Sequence, residues 1–284
     1  MTTKLGIIGF PIKHSISPVF QQAALDHLHI DATYQAWEVA PGDVAAFVQR
    51  LRSPEMLGIN VTVPHKEAVI PYLDESDASA TAAGAVNTIV NRGGRLSGHN
   101  TDGSGFLRAL RDTGGFDPRG RRVLLLGAGG AARGVSLALI LEGIGHLTIA
   151  NRTLSRADVL VKLAGIHGVN AQAIPLDGTA LAAAAASADL IVNCTTIGMS
   201  HGPDETGTLL SQEQIPSTAL VNDLVYNPLE TPLHREAAKA GARILGGFHM
   251  LVYQGAASFE MWTGQDAPVA VMLKAATRAM RERA

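Results

Sequence analysis

Two residues of this chain carry side chains suited to moving a proton. Lys66 ends the stretch Gly58-Ile59-Asn60-Val61-Thr62-Val63-Pro64-His65-Lys66, just past an apolar run that reads as a buried strand and at what reads as the start of a helix. Asp102 lies in Asn100-Thr101-Asp102-Gly103, at a second helix entrance. An ammonium paired with a carboxylate can deliver a proton to a carbonyl oxygen under reduction and take it back in the reverse direction. A first-turn acid is a sufficient structural reason for Asp102, since it complements the helix dipole. The same argument fails for Lys66, whose charge opposes the dipole at that end. Spacing alone does not bring the pair together.

A reduction of that kind needs a hydride carrier, and Gly127-Ala128-Gly129-Gly130-Ala131-Ala132 provides a place for one. It follows the apolar strand Arg122–Leu126 and opens an apolar helix, the context in which G-x-G-x-x-A binds a dinucleotide. The first glycine permits the tight turn, the second lets backbone approach a pyrophosphate, and the alanine keeps helix and strand close. An NAD site would carry Asp or Glu at the end of the next strand, to hold the ribose 2′-hydroxyl. The stretch here is Ala150-Asn151-Arg152-Thr153-Leu154-Ser155-Arg156. It has no acid, and Arg152, Thr153 and Arg156 suit a 2′-phosphate, which guanidinium groups grip through paired donors. The expected cofactor is NADP.

A third feature is His14-Ser15-Ile16-Ser17-Pro18. Ser17 reads as an N-cap followed by proline at the first helical position. Ser15, two residues earlier on an extended stretch, can point the same way. The pair is either a polar loop or the seat of a small anion at the positive end of a helix.

The elements that must position these groups alternate strand and helix almost throughout. Strands are expected at Leu5–Gly9, Thr33–Val39, Gly58–Val63, Leu147–Ala150, Ala171–Ile174, Leu190–Asn193, Ala219–Asp223 and Arg243–Leu245, besides Arg122–Leu126. Asn87–Arg92 and Arg95–His99, joined by Gly93-Gly94, read as a hairpin. Helices are expected at 18–29, 43–51 and 102–113, after Gly130 and Ser155, and over 250–262 and 268–283 at the end of the chain. With 284 residues the chain is long enough for two domains. A formal net charge of -2 gives no basic excess for nucleic acid or an anionic membrane. The single cysteine, Cys194, rules out an internal disulfide and fits a reducing cytoplasm. The amino-terminal apolar run of about six residues is too short for a signal-peptide core. The Ala-rich stretch from Leu181 to Val192 contains Asp189 and is too short to span a bilayer. No metal site is expected: His27 and His29, two apart on a helix, do not share a face.

HSISP (14–18), NVTVPHK (60–66), AGAVNT (83–88), NTDG (100–103), GAGGAARG (127–134), NRTLSR (151–156), NDLVYNP (222–228) and MLVYQGA (250–256) together resemble the shikimate dehydrogenase family, in its order and over nearly the whole chain. The resemblance implies reversible NADP(H)-linked reduction of 3-dehydroshikimate to shikimate. It implies that Ser15 and Ser17 bind the substrate carboxylate, and that Thr62, Asn87, Asp102 and Gln254 hold ring hydroxyls. Lys66 would transfer the proton, paired with Asp102, while Tyr226 lies near the substrate and Leu224 and Gly247 near the nicotinamide. Gly127, Ala128, Gly129, Gly130 and Ala131, with Asn151, Arg152, Thr153 and Arg156, would hold the cofactor.

The implied fold is an N-terminal α/β substrate domain of residues 1–103, to which 247–284 return, and a doubly wound Rossmann-type NADP domain of residues 104–246. The expected protein is cytoplasmic, monomeric or homodimeric, with a small-molecule substrate. Departures from the family pattern are Gln21-Gln22 where His-Asn is common, Gly246 where Asp is common, and His249 where a small residue is usual. Cys194 stands for a small apolar residue and reads as a buried, inert thiol. Two rival readings are a quinate/shikimate dehydrogenase of broader substrate or cofactor use and a non-catalytic sensor of NADP or a cyclic acid. A sensor has no need of the Lys66 and Asp102 pair.

Overall fold

A computed structural model describes residues 3–283. Met1, Thr2 and Ala284, which the sequence reading assigns to the first domain, lie outside the described residues. The chain divides into two units, Met1–Gly105 with Val252–Ala284, and Phe106–Leu251.

The first unit holds β1 (Thr3–Gly9), α1 (Ser17–His27), β2 (Ala32–Glu38), α2 (Val44–Arg50), β3 (Met56–Val61), β4 (Glu75–Ser76), α3 (Ala78–Ala83), β5 (Thr88–Arg92) and β6 (Arg95–His99). Its sheet runs β2-β1-β3-β5-β6-β4. β1 pairs parallel with β2 and β3, whereas β3–β5 and β5–β6 are antiparallel. Gly93 and Gly94, both at positive φ, close the β5–β6 hairpin as the sequence predicts. α4 (Asp102–Arg108) runs into a π-helical turn over Ala109–Thr113. One core cluster, including Ile8, Val48, Ile59, Val69, Val86, Ile89 and Leu96, packs beneath β1, β3 and β5 and fixes where their ends emerge. α1 packs on the closing helix α10 (Val269–Arg283).

The second unit contains β7 (Arg122–Leu126), α5 (Gly130–Leu141), β8 (His146–Ala150), α6 (Leu154–Ile166), β9 (Asn170–Ile174), α7 (Gly178–Ala186), β10 (Leu190–Asn193), β11 (Leu220–Asp223), α8 (Pro232–Lys239) and β12 (Arg243–Gly246). All its strands are parallel, in the order β12-β11-β10-β7-β8-β9. That is the doubly wound Rossmann order, with its switch point between β7 and β10. The long helix α9 (Phe248–Thr263) follows β12. No helix among the described residues is long and apolar enough to cross a membrane.

Three local expectations are corrected. No helix starts at Lys66: the Val86 N–H donates to the Lys66 carbonyl at 2.8 Å, removing an acceptor that a helix would need, and the segment stays in turns. Ser17 is not the N-cap but the first residue of α1, after Ile16 at φ -96 and ψ -1. Ser15 lies in a turn, not on an extended stretch, with its N–H donating to the Ile12 carbonyl at 2.9 Å. Its hydroxyl accepts from the Ser17 N–H at 3.2 Å, two residues on, so Ser15 and not Ser17 turns its oxygen to the helix entrance.

Candidate active site

β3 is buried over most of its length and delivers the chain to Lys66 through a short anchored turn. The Thr62 N–H donates to the Ile8 carbonyl at 2.9 Å, extending the ladder with β1 past the end of the strand. His65 is buried, and its Nε2–H donates to the Val39 carbonyl at 2.7 Å. With the bond from Val86, these fix the Lys66 backbone. Asp102 reaches the same point as the first residue of α4, its N–H donating to Asn100 Oδ1 at 3.1 Å.

Lys66 Nζ donates to Asp102 Oδ2 at 2.5 Å, with side chains only 11% and 5% exposed. The other carboxylate oxygen, Oδ1, accepts from Asn87 Nδ2 at 2.8 Å. The orientation of the Asn87 amide follows from its donors: the Thr101 N–H, which can only donate, lies 2.8 Å from Asn87 Oδ1. Nδ2 therefore faces Asp102 and also lies 3.2 Å from Gln254 Oε1 on α9. Lys66, Asn87, Asp102 and Gln254 thus meet from separate parts of the chain. Such a group can orient a polyhydroxylated ring one hydrogen bond at a time and exchange a proton with one of its oxygens. Thr62 is half-buried at the mouth of the turn, four residues before Lys66. Ser15 is half-buried and Ser17 buried at the start of α1, which has no side-chain cap of its own.

In the second unit, β7 is followed by Gly127, held at φ +103 with its N–H donating to the Ala150 carbonyl at 2.7 Å. A Cβ there would stand 2.9 Å from Thr195 Cγ2, so the loop after β10 leans on the glycine turn at the switch point. A Cβ on Gly129 would meet nothing within 4 Å, which leaves backbone open to an approaching phosphate at the amino end of α5, where Gly130 and Ala131 begin the helix. Ala128 N–H donates to Asn151 Oδ1 at 3.1 Å, and Asn151 Nδ2 donates to the Thr153 carbonyl at 2.8 Å. Asn151 therefore ties the glycine turn to the loop after β8. That loop presents Arg152 and Thr153 on the surface, the first turn of α6 presents Arg156, and no acid stands at the strand end. The residues fit a dinucleotide carrying a 2′-phosphate.

Leu224 and Gly247 are adjacent: a Cβ on Gly247 would stand 2.2 Å from the Leu224 carbonyl oxygen, so only glycine fits. Tyr226 is half-buried on the same loop as Leu224. Behind that loop, burial raises the Asp223 carboxyl above the usual carboxylate range, against the Thr231 hydroxyl at 2.7 Å, the Val225 N–H at 3.0 Å and Asn193 Nδ2 at 2.9 Å. Burial lowers the His249 imidazole, which meets Phe248 edge-on. Cys194 is half-buried rather than buried as expected, because it lies past the end of β10.

Gln21 and Gln22, where the sequence departs from its family pattern, both fasten α1. Gln21 Nε2 donates to the Gly255 carbonyl at 2.8 Å, and Gln22 Oε1 accepts from the Tyr34 N–H at 2.9 Å. Sequence reasoning gave no role to Asn60, Thr88, Thr101 and Ser258, which surround Asn87, nor to Gly105, whose missing side chain admits Gln254. The signal for Ser258 was its place four residues after Gln254, on the same helical face.

Comparison with known proteins bears on the whole chain. Residues 7–89 match the shikimate dehydrogenase substrate binding domain, 110–201 the shikimate / quinate 5-dehydrogenase domain, and 247–277 the shikimate 5'-dehydrogenase C-terminal domain. A shikimate dehydrogenase (NADP(+)) of Methanopyrus kandleri is 47% identical over 281 residues, 99% of this chain and 97% of the relative. The crystal structure of a Thermus thermophilus shikimate 5-dehydrogenase in complex with NADP(H) and shikimate superposes with a TM-score of 0.86 at 36% identity, covering 98% of this chain and 99% of that one. A quinate dehydrogenase from Corynebacterium glutamicum in complex with NAD gives 0.87 at 30% identity, covering 98% and 99%. On matches that span both units, the chain belongs to the shikimate dehydrogenase family.

Proposed function

We propose that this chain catalyses the reversible NADP(H)-linked reduction of 3-dehydroshikimate to shikimate, the step of aromatic amino acid biosynthesis that its family serves. The observation that carries the reading is the buried Lys66–Asp102 pair with Asn87 and Gln254 around it. Bound NADPH supplies the hydride for the reduction, and bound NADP+ takes it back. Lys66 donates a proton to the oxygen that becomes the hydroxyl, and Asp102 orients the ammonium. Ser15 and Ser17 hold the carboxylate, while Thr62, Asn87, Asp102 and Gln254 hold ring hydroxyls, with Tyr226 nearby. Gly127, Ala128, Gly129, Gly130 and Ala131 receive the pyrophosphate. Asn151, Arg152, Thr153 and Arg156 receive the 2′-phosphate end, and Leu224 and Gly247 flank the nicotinamide. The first unit is the substrate domain and the second the NADP domain, in a cytoplasmic enzyme that works as a monomer or homodimer.

The test is a steady-state comparison of shikimate and quinate with NADP and NAD, followed at the reduced-nicotinamide absorbance. Shikimate with NADP should give the highest kcat/KM, and a flat trace with that pair would refute the reading. Quinate is a second reading because the quinate dehydrogenase fold matches this chain closely. Quinate differs from shikimate by one hydroxyl and a saturated ring, which pocket shape decides.

Cofactor choice has its own expected result. Each charge-assisted bond from Arg152 or Arg156 to a 2′-phosphate is worth about 1.5–3 kcal/mol. Replacing either by alanine should raise KM for NADP roughly 10- to 100-fold and leave KM for NAD nearly unchanged. Equal rises for both cofactors would mean that the arginines do not read the phosphate.

A further inference from the structure

We propose that Ser258 is a positioning residue for the substrate site, holding four separate segments in register through one buried hydroxyl. Ser258 is fully buried on α9. Its Oγ donates to the Gln254 carbonyl at 3.0 Å and accepts from Asn60 Nδ2 at 2.9 Å. It also lies 2.7 Å from Thr88 Oγ1 and 3.3 Å from Thr101 Oγ1. Each of those neighbours is, or stands within two residues of, a group proposed to bind substrate. Asn60 precedes Thr62, Thr88 follows Asn87, Thr101 precedes Asp102, and Gln254 is itself one.

The arrangement is directional. Asn60 Nδ2 also faces the Asn87 carbonyl at 3.2 Å, which sets the Asn60 amide and leaves its Oδ1 to accept from the Tyr34 hydroxyl at 2.7 Å. Burial pushes the Tyr34 phenol well above its ordinary range, so it stays a neutral donor. With the Ser258 hydrogen on the Gln254 carbonyl, Thr88 Oγ1 donates to Ser258 Oγ at 2.7 Å, while Asn87 Oδ1 receives the Thr101 N–H at 2.8 Å and lies 3.2 Å from Thr101 Oγ1. The oxygen of Asn87 is held from the Thr101 side, and its Nδ2 faces Asp102 Oδ1 at 2.8 Å, Thr101 Oγ1 at 2.9 Å and Gln254 Oε1 at 3.2 Å. Buried polar groups are costly unless bonded, and a helix resting on a sheet for stability alone is served by apolar side chains. A hydroxyl cluster at the point where four proposed substrate-binding segments converge sets geometry instead.

The inference rests on the proposed function, and the experiment separates the two. Ser258→Ala should raise KM for shikimate about tenfold, the order expected when binding groups shift by a fraction of an ångström, with KM for NADP unchanged within about twofold. Ser258→Ala combined with Thr88→Val should raise it by less than the product of the single effects, because both remove the same constraint. A Ser258→Ala enzyme with wild-type KM for shikimate, or with both KM values raised alike, would overturn the positioning role while leaving the function in place. A wild-type chain unable to reduce NADP with shikimate would overturn both. Should Ser258→Ala fail to fold, Tyr34→Phe at the outer end of the network is read by the same split, with a shikimate KM raised about threefold supporting the role and an unchanged one refuting it.

Discussion

Lys66→Ala is expected to lower kcat for shikimate oxidation by roughly a hundred- to ten-thousand-fold, the range measured when a positioned acid or base is removed. KM for shikimate should change little, because the ammonium acts on the proton while Ser15, Ser17, Asn87 and Gln254 supply the binding. The substitution also strands a carboxylate. Asp102 is 5% exposed in its side chain and would keep only the Asn87 donor, so the fold should lose about 3 kcal/mol, near the low end for breaking a buried pair. Melting temperature would fall by roughly 5–10 °C in a chain of this size. Lys66→Arg separates the two effects. A guanidinium restores the charge opposite Asp102 but does not give up its proton, so stability should recover while kcat stays low. Recovery of turnover with arginine would show that the charge, and not the proton, is what the reaction uses.

Much of the scaffold was legible because its causes are local. The strand Arg122–Leu126, the glycine turn and the Gly93-Gly94 hairpin each follow from backbone preferences of a few adjacent residues, and each lies where the sequence places it. That Lys66, Asp102 and Asn87 meet was expected from the family resemblance more than from their spacing. What local reasoning missed was decided at long range. A helix from Lys66 was a fair local reading until Val86, twenty residues on, took the Lys66 carbonyl. The bond from the Ser17 N–H to the Ser15 hydroxyl depended on a turn back to Ile12 that the pattern of hydroxyls does not announce. Ser258 and Thr101 meet only because α9 returns to the first sheet after the whole second unit has been threaded. Their polar character was visible, and their partners were not.

Gly105 shows the same long-range logic in a residue with no side chain. It sits on α4, one turn after Asp102, where a Cβ would stand 2.6 Å from the Gln254 backbone nitrogen, 2.7 Å from its Cβ and 2.8 Å from its Cα. The obstacle is the backbone of α9, not the movable end of a side chain, so Gly105→Ala must push the two helices apart. Overpacking of this kind costs about 1–3 kcal/mol. The displacement falls on the contact that fixes Gln254 against Asn87 and Asp102, and a misplacement of about 1 Å can cost a hundredfold in rate. Gly105→Ala should therefore reduce kcat/KM for shikimate about a hundredfold, with most of the loss in KM, while NADP binding stays near wild type. Gly165→Ala is the matching control. Its Cβ would meet nothing within 4 Å on the exposed face of α6, and it should stabilise the fold by about 0.5–1 kcal/mol with no kinetic effect. If Gly105→Ala behaves like Gly165→Ala, the approach of α4 to α9 does not set the position of Gln254, and the substrate site tolerates more slack than its hydrogen bonds imply.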